Sequence, residues 1–219
     1  CWPSNCIARP PSCLAIRITA NNESMQKIWL ASKSPRRAEL LTGIGVSFDV
    51  LQFTDAAGAQ YEVDESVLPG EAPRDYVRRV ALDKALHAHA YLKDRGLALQ
   101  PLLTADTTVA LGDRILGKPA DAAEACEMLG ALSGTTHEVL SAVVVIDGGD
   151  IRQALSISHV RFMPLDAETI ERYVASGEPF DKAGAYGIQG PAGIFVAEMQ
   201  GSFTGVSNIR SEEHTSELQ

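Results

Sequence analysis

Arg36, Arg37, Glu65, Lys84, Asp106, Lys118 and Lys182 fall at or near the ends of elements that the sequence predicts. Strand ends and the loops after them are where α/β proteins build sites. Four or five cations beside two carboxylates suit a polyphosphate with a divalent metal. The cations neutralise phosphate oxygens, and the carboxylates hold Mg²⁺ or orient water. That set points to phosphoryl or nucleotidyl chemistry without saying which phosphorus is attacked.

Two of these residues break a local rule. Ile28-Trp29-Leu30-Ala31 reads as a strand. Ser34 stands where an N-cap belongs, Pro35 is a favoured first helical residue, and Leu40, Leu41 and Ile44 supply an apolar face. Arg36 and Arg37 therefore sit in a helix's first turn, which already carries unpaired N–H donors and the positive end of the helix dipole. Either they are solvated on an exposed turn, or an anion sits among them, with phosphate the strongest common candidate.

Several chemistries are disfavoured by missing motifs. There is no Gly-x-x-x-x-Gly-Lys-Ser/Thr loop, no Gly-x-Ser-x-Gly elbow and no His-Glu-x-x-His. Gly187, Gly190 and Gly193 precede a predicted strand rather than opening a helix, so they are not the dinucleotide fingerprint. His137 lies at a predicted strand start and His159 inside a predicted strand, and both read as structural.

The chain has 219 residues, enough for one good-sized domain, with 45% hydrophobic and 21% charged residues. Its net charge is −9, which argues against a nucleic-acid-binding surface. An anionic substrate would need a local basic pocket. No apolar run approaches the ~20 residues of a membrane span.

Helices are expected from Pro35 to about Gly43, Pro73 to about Lys93, Asp121 to near Gly134, and Asp166 to Gly177. Lys84 falls inside the apolar stripe of the second helix, where it either snorkels to water or reaches an anion in a cleft. Strands are expected over Val46–Leu51, Leu102–Ala105, Thr107–Leu111, Arg114–Leu116, Val139–Ile146 and Ile151–Phe162. Gly193–Ala197 and Ser202–Ser207 are read as two more, and Asp106 is placed at a strand end. The polar stretch Thr54–Gly70 is long for a loop in a compact domain, which suggests a functional role. Helices mixed with hairpins predict an α/β fold with a mixed sheet flanked by helices.

Both ends look foreign. Residues 1–24 hold three of the four cysteines and lack periodicity, and Met25 is the expected natural start. They read as a non-native upstream extension rather than a secretory signal, an acid-poor transit peptide being the alternative. Residues 209–219 read as an artefactual tail, since Arg210 to Gln219 looks like a translated sequencing adapter. The expected domain is 25–208. Cys126 is then its only cysteine, in a predicted helix. That excludes an internal disulfide or zinc cluster and fits a cytoplasmic location.

Leu30-Ala-Ser-Lys-Ser-Pro-Arg-Arg-Ala-Glu-Leu-Leu41 resembles the signature that opens the Maf-like nucleotide pyrophosphatases. The resemblance continues through Val63-Asp-Glu65, Ala81-Leu-Asp-Lys-Ala85, Ala105-Asp-Thr107, Gly112-Asp-Arg-Ile-Leu-Gly-Lys-Pro119, Leu132-Ser-Gly-Thr-Thr-His-Glu-Val139 and Tyr173 to Gly190. It implies the fold of inosine triphosphate pyrophosphatases, a divalent cation (Mg²⁺, or Mn²⁺), a cytoplasmic homodimer, and hydrolysis of a nucleoside triphosphate to monophosphate and pyrophosphate. By the same resemblance Asp106 is the proton acceptor that activates water. Arg37, Lys84 and Lys118 hold the triphosphate, Glu65 places metal or water with Asp106, and Ser32 and Lys182 support the site. Arg36, Thr107 and Gln189 match positions linked to base choice, in the form of the branch acting on dTTP and UTP. A nucleotide-binding regulator of cell division with little turnover is the alternative. The family continues past Gly201-Ser202-Phe203 with a Gly-Leu-Pro-Leu segment and a final helix. This chain runs instead into Ser207-Asn208-Ile209, and the missing helix is expected to leave apolar surface exposed.

Overall fold

The computed structural model describes residues 27–32, 34–51 and 63–206. The expectations for residues 1–24 and 209–219, and for most of the polar stretch before Val63, lie outside the described residues. One seven-stranded sheet organises the rest. The strands are β1 (Ile28–Leu30), β2 (Phe48–Val50), β3 (Leu102–Leu111), β4 (Arg114–Leu116), β5 (Thr136–Asp147), β6 (Asp150–Phe162) and β7 (Val196–Gln200). Their order is β2-β1-β3-β5-β6-β7, with β4 pairing to β3 off this path. β1 runs parallel to β2 and β3, and the remaining pairs are antiparallel. The expected mixed α/β sheet is present.

Helices cover both faces. α1 (Pro35–Gly43) packs Leu41 with Leu30 and Leu103 on one face. α2 (Pro73–Asp94) buries Tyr76, Val77, Val80, Ala81, Ala85, Ala88 and Leu92 against Leu102, Ala110, Leu140 and Val144 on the other. Alanines at 81, 85 and 88 keep that stripe shallow, so the helix lies close to the sheet, and Thr104 donates to the Ala81 carbonyl at 3.0 Å. α3 (Ala122–Leu132) and α4 (Ala167–Ala175) enclose a second core around Phe162, Tyr173, Tyr186 and Phe195. Asp121 and Asp166 cap these two helices through the Glu124 and Thr169 amides, as their sequences require.

Four expectations need correction. Ser34 holds the N-cap position of α1, yet its side chain caps nothing; its amide donates to Ser32 Oγ at 3.2 Å. Asp106 is not at a strand end. β3 runs unbroken through it because β5 pairs with it from Leu102 to Ala110, Asp106 opposite Ala142. The strand expected at 193–197 begins later, at Val196. Pro191–Phe195 forms a 3-10 turn, which proline at its start favours. The strand expected at 202–207 is instead a one-turn helix, α5 (Phe203–Val206), whose Gly205 amide is taken by the Ser202 hydroxyl.

β3 carries the feature that positions everything else. One of its edges is covered by β5 along nearly its whole length. The other pairs with β1 only at Leu102–Leu103 and with β4 only at Val109–Leu111. Among the described residues no strand covers 104–108 on that edge, and Asp106 sits at the middle of the gap. β1 leaves the sheet there toward the arginines. β4 is antiparallel to β3, so Gly117 and Lys118 leave it heading toward the same gap.

His137, on β5, is buried beside Phe162 and Tyr186, and burial pushes its pKa from 6.5 down to about 4. The unfolded chain takes up this proton near pH 6.5 and the folded chain only near 4. Stability is therefore intact above 6.5 and falls as the pH drops between those values, by about 3 kcal/mol from this ring alone. Urea unfolding at pH 7, 5.5 and 4.5 should show that loss, and His137→Phe should unfold with a pH slope shallower by about one proton. Equal slopes would refute the assignment.

Candidate active site

Asp106 faces α2. Side chains alternate along a strand, and Leu102 and Ala110, which share its parity, pack on that helix. Lys84 lies one helical turn beyond Val80 and Ala81, and its ammonium reaches Asp106 Oδ1 at 2.7 Å and Glu65 Oε1 at 2.7 Å. Lys84 thus does not snorkel into solvent. It joins the strand, the helix and the 63–72 segment at one point. Asp106 is nearly buried, whereas Glu65 is about half open.

That segment is fastened to α2 by side chains. The Tyr76 hydroxyl donates to the Glu65 carbonyl at 3.0 Å. Burial, with Asp106 and Glu65 nearby, pushes the Tyr76 phenol up to about 12, so it stays a donor at neutral pH. Arg79 grips Glu71 through two N–H groups at 2.6 and 2.8 Å and donates to the Ser66 carbonyl at 2.9 Å. Glu71 is held below the ordinary carboxylate range chiefly by that bond.

Arg37 approaches from β1 and α1. Its Nη1 donates to Ser32 Oγ at 2.9 Å. Its Nε is buried with no partner among the described residues. Burial pulls the guanidinium pKa down, and the carboxylates of Asp106 and Glu65 oppose that pull. Arg37 is therefore electrostatically part of the Lys84 cluster, with a donor left over. A buried, unfilled guanidinium donor at a helix start is what an anionic ligand would complete.

The far wall is the glycine-rich segment after α4. Lys182 donates to the Glu178 carbonyl at 2.8 Å and to Asp181 at 2.5 Å. This bond is the main reason the Asp181 carboxyl lies below its usual range, and Arg36 adds a smaller pull. Arg36 thus adds its charge to this wall's field, while the Arg37 charge is sustained by Asp106 and Glu65. Gly187 packs on the Lys182 stem and Gly190 on the Glu178 carboxylate, and a Cβ at either position would overlap them. Lys118 and Gln189 are exposed at the ends of their segments.

The chain has relatives in sequence. The model of the family described as "Maf-like protein" matches residues 27–218. The chain belongs to the Maf-like family. A dTTP/UTP pyrophosphatase of Dechloromonas aromatica is 50% identical over 84% of this chain and 91% of its own. Its counterpart in Cupriavidus metallidurans is 56% identical over 83% and 90%. The one in Ralstonia nicotianae is 53% identical over 83% and 87%. Among solved structures, the Staphylococcus aureus Ham1 protein aligns over 63% of this chain with 12% identity and a TM-score of 0.43.

In this Maf-like chain the structure brings Ser32, Arg37, Glu65, Lys84 and Asp106 together. Thr107 projects from the opposite face of β3. Its hydroxyl pairs with Ser141 at 2.8 Å, and Ser141 in turn donates to the Gly205 carbonyl at 2.6 Å. It ties the sheet to α5 and does not join the Lys84 cluster. Tyr76, Arg79 and Glu71 were not singled out from sequence as site residues. Tyr76 lies in an apolar stripe, and Arg79 and Glu71 look like ordinary surface charges. The eight-residue spacing of that pair, from just before α2 into its second turn, is the available signal.

Replacing Lys84 with methionine leaves Glu65 and Asp106 facing each other uncompensated. Stability at pH 7 should fall by about 1–2 kcal/mol, the low end for charged hydrogen bonds because Glu65 is exposed. Denaturant melts of the two proteins at pH 7 check this.

Proposed function

We propose that this chain hydrolyses nucleoside triphosphates, dTTP and UTP foremost, to the monophosphate and pyrophosphate. The observation that carries the reading is the Glu65–Lys84–Asp106 cluster at the gap in β3, with the unfilled donor of Arg37 beside it. Relatives about half identical over most of their length bear the name dTTP/UTP pyrophosphatase and support it.

Asp106 is the proton acceptor. Lys84 fixes one carboxylate oxygen, leaving the other for a water. The water oxygen forms a bond to the α-phosphorus, its proton passes to Asp106, and the bond from that phosphorus to the α–β bridging oxygen breaks. The electron pair leaves with pyrophosphate, whose charge Arg37, Lys84 and Lys118 offset. Ser32 aligns the Arg37 guanidinium. Lys182 and Gln189 face the nucleoside from the glycine-rich wall, where the Gln189 amide offers a pyrimidine edge both a donor and an acceptor. Arg36, in the first turn of α1, is the second residue assigned to base choice.

The donor set also suits Mg²⁺ or Mn²⁺. Two carboxylate oxygens that share one ammonium at 2.7 Å mark a cation point, and Mg²⁺ needs only one or two carboxylates when phosphates and water complete its shell. Among the described residues no group of three His, Cys, Asp or Glu side chains could hold a metal, so substrate oxygens would complete the site. Glu65 and Asp106 would hold the ion through oxygens that Lys84 does not occupy, and it would supply charge neutralisation to the phosphate oxygens. A cytoplasmic homodimer completes the proposal; the family resemblance and the unpaired Cys126 support it. No described helix is long and apolar enough to cross a membrane.

Asp106→Asn should cut pyrophosphate release from dTTP and UTP by at least about 100-fold, the usual scale for a lost general base, with nucleotide binding kept. Unchanged release would refute Asp106 as the base. Orthophosphate as the product would refute the site of attack. Arg37→Met should mainly raise KM, by about tenfold or more for a lost charged contact.

A further inference from the structure

We infer that His137 and Tyr186, both outside the reacting cluster, are positioning residues for nucleotide selection: their buried hydrogen bond fixes the segment that carries Lys182 and Gln189. The inference rests on the proposed pyrophosphatase reading for what that segment faces.

The segment is strained. Gly184 and Ala185 take successive left-handed conformations, at φ +69° and +60°, and Ala185 is the only non-glycine residue with positive φ among the described residues. An L-residue held there costs free energy and persists only where the surroundings impose it. Gly184 packs closely on β3, since a Cβ at that position would lie 2.9 Å from the Val109 side chain and no side chain fits there. Its amide donates to the Gly117 carbonyl at 2.9 Å, next to Lys118.

Tyr186 follows at once. Its ring meets Phe162 edge-on at 4.8 Å, and its oxygen lies 2.7 Å from His137 Nε2. The other ring nitrogen of His137, Nδ1, is buried without a partner among the described residues. For packing alone an apolar ring would serve this site better, since it would leave no orphan polar atom. The imidazole's one polar contact goes to Tyr186, so what it adds over an apolar ring is a fixed height for the segment. Beyond Tyr186 come Gly187, Ile188, Gln189 and Gly190. The two glycines are imposed by the side chains beneath them, and the Gly190 amide donates to the Gly187 carbonyl at 3.0 Å, closing the turn that carries Gln189. The bolt at Tyr186 fixes where that turn starts.

Tyr186→Phe keeps the ring contacts and removes only the hydroxyl. Hydrogen exchange of the ligand-free protein should show faster exchange confined to residues 184–190. Steady-state assays should show KM for dTTP and UTP raised about three- to tenfold, the scale of one neutral hydrogen bond, with kcat within about twofold. Preference over purine triphosphates should narrow. Ala185→Gly, which relieves the strained φ, should match or exceed wild-type melting temperature yet raise KM in the same way. Unchanged exchange at 184–190 would overturn the anchor. Faster exchange with unaltered KM and preference would overturn the selection role. A wild-type protein that neither binds nor cleaves any nucleotide would overturn the pyrophosphatase reading and the selection role with it, while the exchange result would still decide the anchor.

Discussion

The edge of β3 that faces β1 is incomplete, and the cleft follows from that. β1 is three residues long and pairs with only two residues of β3, while β4 returns only for the last three. A carboxylate in the middle of a fully paired central strand would be sealed under α2, at a large desolvation cost. Here the missing neighbour leaves Asp106 reachable while β5 holds its backbone rigid from the other side. The same gap gathers the chain ends that need to meet. β1 leads into Ser32 and then into α1 with Arg37, and the turn after β4 heads toward the same gap. The site therefore combines a carboxylate fixed on a strand with cations held on two helices, a division suited to chemistry on a polyphosphate.

Lys84 shows how the cluster is balanced. Two carboxylates meet one ammonium, with the Arg37 guanidinium completing the charge count nearby. Burial works against the Arg37 charge, and Asp106 and Glu65 sustain it. The arrangement is neutral only as a set, so removing one member leaves its neighbours with uncompensated charge. Tyr76, Arg79 and Glu71 make no contact with this set except through the backbone of residues 65–66. They hold the Glu65 segment on α2, and so decide whether Glu65 reaches Lys84 at all.

Much of this was legible beforehand. The helices starting at Pro35 and Pro73 and the two capped by Asp121 and Asp166 follow from local chemistry: proline at the first turn, a side-chain oxygen three residues before a free amide. The β5–β6 hairpin follows from alternation around Gly148-Gly149. The Arg36–Arg37 conflict with the helix dipole pointed to an anion without any tertiary information. The segment 191–206 was misread because strand and turn there depend on partners: Val196 is a strand residue because Phe162 lies beside it, across an irregularity in register.

The sequence by itself determined the four long helices, the β5–β6 hairpin and the family, because capping, periodicity and motif order are local or linear properties. The tertiary structure alone decided which face of β3 each neighbour occupies. Asp106 and Thr107 are adjacent in sequence, yet one meets Lys84 across α2 and the other meets Ser141 beneath α5. It alone turned Lys84 inward. It also gave His137, unremarkable in the sequence, its hydrogen bond to Tyr186. Those outcomes depend on the strand's twofold alternation and on which strand ends leave an edge uncovered, and neither is specified until the sheet is assembled.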